Sequence, residues 1–568
     1  MAPFIATLLG AAAAMSGVAC SRPANTTSTH SVRPGGALVA SARGEVHTFN
    51  RFAARNRTDD LVALLIHAKL VRTNRSTQEI EPWLAESWTR SDDGLRYTLK
   101  LRPHVTFSDG HPFSSDDVAF SFQAAYDTPD SPMNDVMQVG HKKLEIATPD
   151  PLTVVITFPS SYAPGLRILD NLPIIPRHKL NAALKAGTIT SAWGVATPPA
   201  EIVVLGPFVV SQYTPGQRLV LTRNPHYWRK DASGTPLPYL DRVTIEIVTD
   251  QDTELLRLEN GQLDMTISEA RLEDYAPLKR AADAGRVTLR DLGYGYDADG
   301  FWLNLRSGAL RADPRAAWLQ KDELRRAISM AVDRDAFNNT VYLGAGVPVY
   351  GPITPANKKW YWPDVPRTPH DPAGARALLA TIGLTDRNGD GMLEDARNQP
   401  VRFTLLTQKG HTARERGAMM IRDELKKIGV GVDVVAIDLG ALVTAMLSGK
   451  YDALYFGIIQ TDTDPALNTD FWFSSGSAHL WNIAEKTPAT EWERQIDELM
   501  GRQSASLDEA ERIRLFIDTQ RIFAEHLPVV YFVAPRMYVA ASSRVINLIP
   551  ALIPPQLLWS GDTLAVMH

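Results

Sequence analysis

The densest chemistry in this sequence is acidic. Asp386-Arg387-Asn388-Gly389-Asp390-Gly391 sets oxygen-bearing side chains at alternate positions with glycine sixth, the opening of an EF-hand calcium loop. Position twelve is Arg397 rather than a bidentate Glu, which leaves Glu394 or Asp395 as substitutes. Asp386, Asn388 and Asp390 are therefore candidate calcium ligands, with a plain Asp/Asn/Gly turn as the alternative. A second acidic stretch, Gln460-Thr461-Asp462-Thr463-Asp464-Pro465, follows a predicted strand over 451–459. A carboxylate buried there beside a cleft needs a cation, because an unpaired buried charge is very costly.

Aromatic residues with amide neighbours form the other candidate group. Strand alternation over Phe301-Trp302-Leu303-Asn304-Leu305 sends Trp302 and Asn304 to one face,. Trp481 and Asn482 follow the Gly476-Ser477 loop, and loops often carry binding residues,. Flat aromatic walls with a few polar groups suit a small-ligand pocket. Catalytic signals are poor: there is no HExxH, GxSxG, P-loop or strand-linked GxGxxG,. With 13 His and 64 acidic residues, His/carboxylate neighbours arise by chance, and none forms a motif. The chain is predicted not to be an enzyme and to carry no cofactor, structural calcium at 386–390 aside.

At 568 residues, the chain is long enough for about three or four domains of roughly 150 residues. Apolar residues make up 44% and charged residues 22%, which permits a large core,. A net charge of −5 leaves no basic footprint for nucleic acid,. The one cysteine, Cys20, excludes an internal disulfide and a Cys-based zinc site,. Before it, residues 4–19 form an apolar and small-residue run too short for an ordinary membrane span,. The run ends in Gly17-Val18-Ala19-Cys20, similar to a bacterial lipobox, although Gly17 stands where Leu is usual and no Lys or Arg precedes Cys20. Lipidation at Cys20 is the expectation and plain secretion the alternative. Residues 21–34 are polar and Pro-containing, as a flexible tether would be,.

The elements that must position these residues alternate between two periodicities. Strands are predicted over 36–40, 97–101, 152–158, 243–247, 401–405 and 432–437,. Helices are predicted over 59–71, after an Asp322 N-cap, and after Asp371-Pro372,. Another follows from the apolar face Leu439, Leu442, Val443, Met446 and Leu447,. Thr490–Glu493 and Ser506–Glu509 fit the capping-box pattern,. The interleaving is mixed α/β.

Several phrases resemble the dipeptide/oligopeptide/nickel-binding family of periplasmic solute-binding proteins, family 5. The strongest runs from Asp93-Gly94-Leu95-Arg96-Tyr97 through Ser108-Asp109-Gly110 to Asp116-Asp117-Val118. Leu172–His178, Gly206-Pro207-Phe208, Arg223–Trp228, Leu237–Asp241, Leu324–Asp335, Asp371–Leu379 and Leu527–Val530 follow in family order. The resemblance implies a bilobal α/β clamp of the periplasmic-binding-protein type II, cluster C, with an extra domain in its N-terminal half. It implies lobe I from 36–72, 201–301 and 521–568, the extra domain at 73–200 and lobe II at 302–520, after a signal peptide at 1–20 and a tether at 21–35.

The function implied is capture of a peptide-like ligand by hinge closure and delivery to an ABC importer permease with its ATPase. The chain would act as a monomer in the periplasm, anchored through Cys20. Oligosaccharide, nickel complex or opine ligands, or signalling to a membrane receptor, are the alternatives. Family position places an ammonium-binding carboxylate at Asp462, one residue from the family register at Thr461, with Asp464 beside it. It also places a cleft-lining loop at Phe49 and Asn50.

Overall fold

Alternating apolar residues build the largest sheet around Arg242–Ile247, whose Val243 and Ile245 are fully buried. Ala37–Ala42 runs parallel to this strand, with Leu38 opposite Val243 and Ala40 opposite Ile245. The strand order is Phe208–Thr214, Arg218–Arg223, Arg242–Ile247, Ala37–Ala42, Met265–Thr266, Val533–Ser542 and Val287–Tyr294. Gly346–Pro348 adds to the first part of Val533–Ser542. The structure, a computed structural model, describes residues 33–306, 313–458, 462–483 and 485–567. Cys20 and the apolar run before it lie outside the described residues.

A second sheet orders Gly431–Ile437, Arg402–Gln408, Ala453–Phe456, Gly300–Leu303 and Val529–Tyr531. The first three strands are parallel, joined by helices Thr412–Lys427 and Leu439–Ser448, as parallel neighbours require crossovers,. Gly300–Leu303 is buried on both faces: Phe301 and Leu303 enter one core, Trp302 the other. A third, antiparallel sheet orders Ala85–Arg90, Arg96–Leu101, Thr153–Thr157 and Glu145–Asp150. It carries the Asp93–Arg102 phrase on a hairpin whose turn sets Gly94 at φ +71°.

The chain passes between the first two sheets along neighbouring strands. Val287–Tyr294 leads into Gly300–Leu303, and Val529–Tyr531 leads into Val533–Ser542, antiparallel to it in both sheets. At the crossing the Gly295 amide donates to the Pro535 carbonyl at 2.9 Å.

Capping residues set the helix starts. Ser114 and Asp117 close a capping box on Ser115–Tyr126, and Thr490 and Glu493 do the same on Glu491–Ala505,. Asp371 caps Pro372–Thr381 as predicted. Two expected caps differ. Lys321, not Asp322, occupies the N-cap position of Asp322–Ala331, and the Asp322 carboxylate instead meets Arg325 and His526. Asp508, not Ser506, caps Glu509–His526, because Ser506 already closes the preceding helix. The sequence-drawn lobe boundary at 520/521 thus falls inside Glu509–His526, and Val529–Tyr531 pairs with the second sheet rather than the first.

Candidate functional site

The buried aromatic cluster on one face of the second sheet opens into a cavity of about 140 Å³. Its lining takes Asp297, Ala298 and Tyr531 from beside the two crossing strands, Leu467, Asn468, Asp470, Phe471 and Trp472 from around the short helix Thr469–Trp472, and Pro352, Ile458 and Ala478. Trp302 lies one layer behind, 1% exposed, with its ring stacked on Trp481 at 6.0 Å between centroids. Phe471 meets both indoles edge-on, at 6.2 Å from Trp302 and 5.6 Å from Trp481. Such edge-to-face contacts stabilise aromatic clusters beyond simple burial.

Two carboxylates give the cavity its charge, alongside the polar side chains of Asn468 and Tyr531. Asp470 is solvent-exposed at the rim, yet crowding by protein atoms raises its carboxyl above the usual range; the Ser477 side chain partly offsets this, and the charge of Asp135 adds to it. Asp297 faces Tyr531, whose phenol is held well above its ordinary range by burial and then by that charge.

Asp462 is positioned differently from expectation. Arg167 Nε donates to both its oxygens, at 2.9 and 2.8 Å. The same guanidinium donates to the Gln78 carbonyl at 2.6 Å and to Gln78 Oε1 at 2.8 Å. Burial lifts the Asp462 carboxyl, against the opposing pull of Arg167 and the Asp464 amide. The cation this buried carboxylate requires comes from the chain itself. Asp464 caps the turn Pro465–Leu467 and pairs with Arg512 at 2.6 Å, so it too is internally engaged. Near this contact, Ala163 donates to the Ser504 carbonyl at 2.7 Å and Ser161 to the Ala505 carbonyl at 2.6 Å. Together these bonds tie the 73–200 segment to the helices of the second sheet.

The remaining predicted residues are buried with internal partners. Asn304 Nδ2 donates to the carbonyls of Gly449 and Tyr451, at 2.8 and 2.9 Å, closing a turn rather than facing a ligand. Asn50 Nδ2 donates to Ile189 and Ala192, and its Oδ1 accepts from the Phe52 amide. Phe49 packs edge-on against Tyr213. Trp302 Nε1 donates to the Phe456 carbonyl at 2.8 Å, and Trp481 Nε1 to Glu493 Oε1 at 3.2 Å. Asn482 is 3% exposed. None of these residues lines the cavity, whose surface comes from 297–298, 352, 458, 467–468, 470–472, 478 and 531.

In the predicted calcium loop, Asp386, Asp390 and Glu394 bring carboxylate oxygens within 4.8 Å of one another. The loop is self-bonded: Asp386 accepts from the Gly389 and Gly391 amides and pairs with Arg376 at 3.1 Å, and Glu394 accepts from the Arg387 amide. Asn388 turns its amide nitrogen to Asp390 at 3.1 Å.

Comparison with known proteins agrees with this architecture. Residues 79–479 match the profile of bacterial extracellular solute-binding proteins, family 5, middle region, and the chain belongs to this family. A probable ABC transporter-binding protein of Deinococcus radiodurans is 28% identical over 549 residues, covering 92% of this chain and 91% of the relative. The oligopeptide-binding protein AppA of Bacillus subtilis is 27% identical over 434 residues, covering 74% and 72%. Among solved structures, the periplasmic binding protein MelB of Agrobacterium fabrum in complex with stachyose superposes with a TM-score of 0.77 at 23% identity, covering 94% of this chain and 85% of that one. The fold is thus that of a solute-binding protein, in a family made of binding proteins rather than enzymes. No helix among the described residues is long and apolar enough to cross a membrane.

Proposed function

We propose that this protein captures a peptide-like solute between its two large sheets and delivers it to the permease and ATPase of an ABC importer. The observation that carries the peptide reading is Asp470, an exposed carboxylate with a raised pKa at the rim of an aromatic-lined cavity. A carboxylate in a partly desolvated site favours a cationic group such as a peptide α-ammonium. The similarity to an oligopeptide-binding relative supports the same class. In this reading the first and third sheets form one lobe and the second sheet the other, with the paired crossing strands as hinge. The lipobox-like Gly17–Cys20 supports tethering to the outer face of a membrane through lipidated Cys20.

Calorimetry with a panel of tri- and tetrapeptides, each free and N-acetylated, tests the ligand class. Free peptides should bind at least about tenfold tighter than acetylated ones, and Asp470→Asn should remove that difference. Equal affinity for both forms, or binding of a neutral oligosaccharide with no peptide binding, overturns the peptide reading. Mass spectrometry of the mature N-terminus, wild type against Cys20→Ala, tests the anchor: a diacylglyceryl adduct at residue 20 is expected, and an unmodified N-terminus refutes it.

A further inference from the structure

Beside Trp481, three potential metal ligands converge where no sequence motif announced them. His479, Glu485 and Glu493 bring one ligand atom each within 4.8 Å of one another. His479 and Glu493 are 1% and 2% exposed. His479 precedes the turn Leu480–Asn482, Glu485 lies in the loop after it, and Glu493 is in the first turn of Glu491–Ala505.

The hydrogen bonds orient two of these groups. His479 Nδ1 lies 3.1 Å from the Phe471 carbonyl. A carbonyl only accepts, so Nδ1 carries a proton, and Nε2 is the ring nitrogen left to face the glutamates. Nε2 is buried with no hydrogen-bond partner, and both oxygens of Glu485 are likewise buried and unmatched. Glu493 Oε2 is held by the Thr490 amide and hydroxyl, which turns Oε1 toward His479 and Trp481. His479 Nε2 and Glu493 Oε1 are 3.6 Å apart, beyond a hydrogen bond. Two ligands held about 2.1 Å from one tetrahedral zinc ion lie roughly 3.4 Å apart. A ring nitrogen fixed by a backbone carbonyl on its far side is the usual support for a metal-bound histidine.

We infer that His479, Glu485 and Glu493 form a binding site for a divalent transition-metal ion, zinc foremost. Imidazole with carboxylates is a zinc-type donor set, and two carboxylates neutralise the ion in a buried place. Three protein ligands leave a fourth position for water. The ion would fasten His479 and Glu485 to the helix Glu491–Ala505, and with them Trp481 and the cavity lining at Phe471. Its role is structural support of the binding cavity rather than chemistry.

The test uses the full-length protein, stripped with chelator and then titrated with zinc chloride. Wild type should take up one zinc per chain and melt several degrees higher with zinc than without. Glu485→Gln and His479→Gln should each bind at least about 100-fold more weakly, while Asp390→Asn, in the separate acidic loop, should bind as wild type does. Should the His479 variant fail to fold, cobalt(II) in wild type supplies an independent reading. A visible absorption band of tetrahedral N/O coordination, displaced by zinc, is expected. No zinc uptake by wild type, or unchanged uptake by Glu485→Gln, overturns the proposal. Absence of uptake together with a more stable Glu485→Gln identifies the cluster as a carboxylate pair sharing a proton.

Discussion

Removing Arg167 should cost more than any surface charge because of what it leaves behind. Its guanidinium makes two contacts to Asp462 and two to Gln78, and the pair is only 11% and 16% exposed. Orphaning one member of a buried pair costs about 3–5 kcal/mol, and the slight exposure here points to about 3 kcal/mol for Arg167→Met. Asp462→Asn keeps the shape and leaves Arg167 its Gln78 contacts, so about 2 kcal/mol is expected. The double variant buries neither charge unpaired and should lose only about 3 kcal/mol, a coupling of about 2 kcal/mol. Equilibrium urea unfolding, followed in parallel by tryptophan fluorescence and circular dichroism, measures all four proteins and checks that the transition is shared. A coupling below about 0.5 kcal/mol would refute the view that Asp462 belongs to Arg167. So would an Asp462→Asn variant of unchanged stability that loses ligand, which would return this carboxylate to the binding site.

Two further outcomes follow from the first sheet's surroundings. His67 is fully buried, and burial pushes its pKa down to about 4 from 6.5, partly offset by the Phe49 carbonyl. The unfolded chain therefore takes a proton near pH 6.5 that the folded one refuses until about 4,. Stability should be full above pH 6.5 and fall by about 3 kcal/mol between there and pH 4,. A His67→Gln variant should flatten that slope, and an unchanged slope counts against the assignment. Gly206 donates to the Ile66 carbonyl at 2.8 Å, and a Cβ there would overlap that carbonyl group and come within 2.7 Å of the His67 nitrogen. Gly206→Ala should lower stability in urea unfolding by at least about 2 kcal/mol, whereas Gly501→Ala, in the helix Glu491–Ala505 with open space around it and an ordinary helical backbone, should cost nothing or stabilise; equal losses would refute the close-approach argument.

The sheets were legible because their strands repeat with period two. Val243/Ile245 and Tyr97/Leu99/Leu101 face their cores as the alternation predicts, and Trp302 does point to the cavity-side core. Helices were legible where a cap announced them, as at Asp371 and Thr490. The apolar run on Leu439–Ser448 misled: Leu442 and Met446 are buried, but Leu439, Val443 and Leu447 face solvent. The partner of Asp462 lay out of reach because Arg167 is 295 residues away in sequence. Asp470, Phe471 and Trp472 escaped notice because a four-residue helix is too short to show a period,. The adjacent Asp-Phe-Trp triplet was the one available signal. Asn304 and Asn50 misled because a buried amide serves a turn's carbonyls as readily as a ligand.

The two paired strands that carry the chain between the large sheets have a mechanical consequence. A narrow antiparallel ribbon flexes across its face, but stretching or sliding its strands past each other breaks the rungs between them. The bond from Gly295 to Pro535 sits at the crossing, and Gly346–Pro348 lies along the returning strand like a splint. In the clamp proposed above, this ribbon is the place where the two sheets bend relative to one another, and the chain departs and returns beside it. By the same geometry the stretch from 295 to 535 is a loop closed at its neck. A direct join across that neck should leave the rungs of the first sheet from Met537 to Ser542 in register with Val287–Gly293.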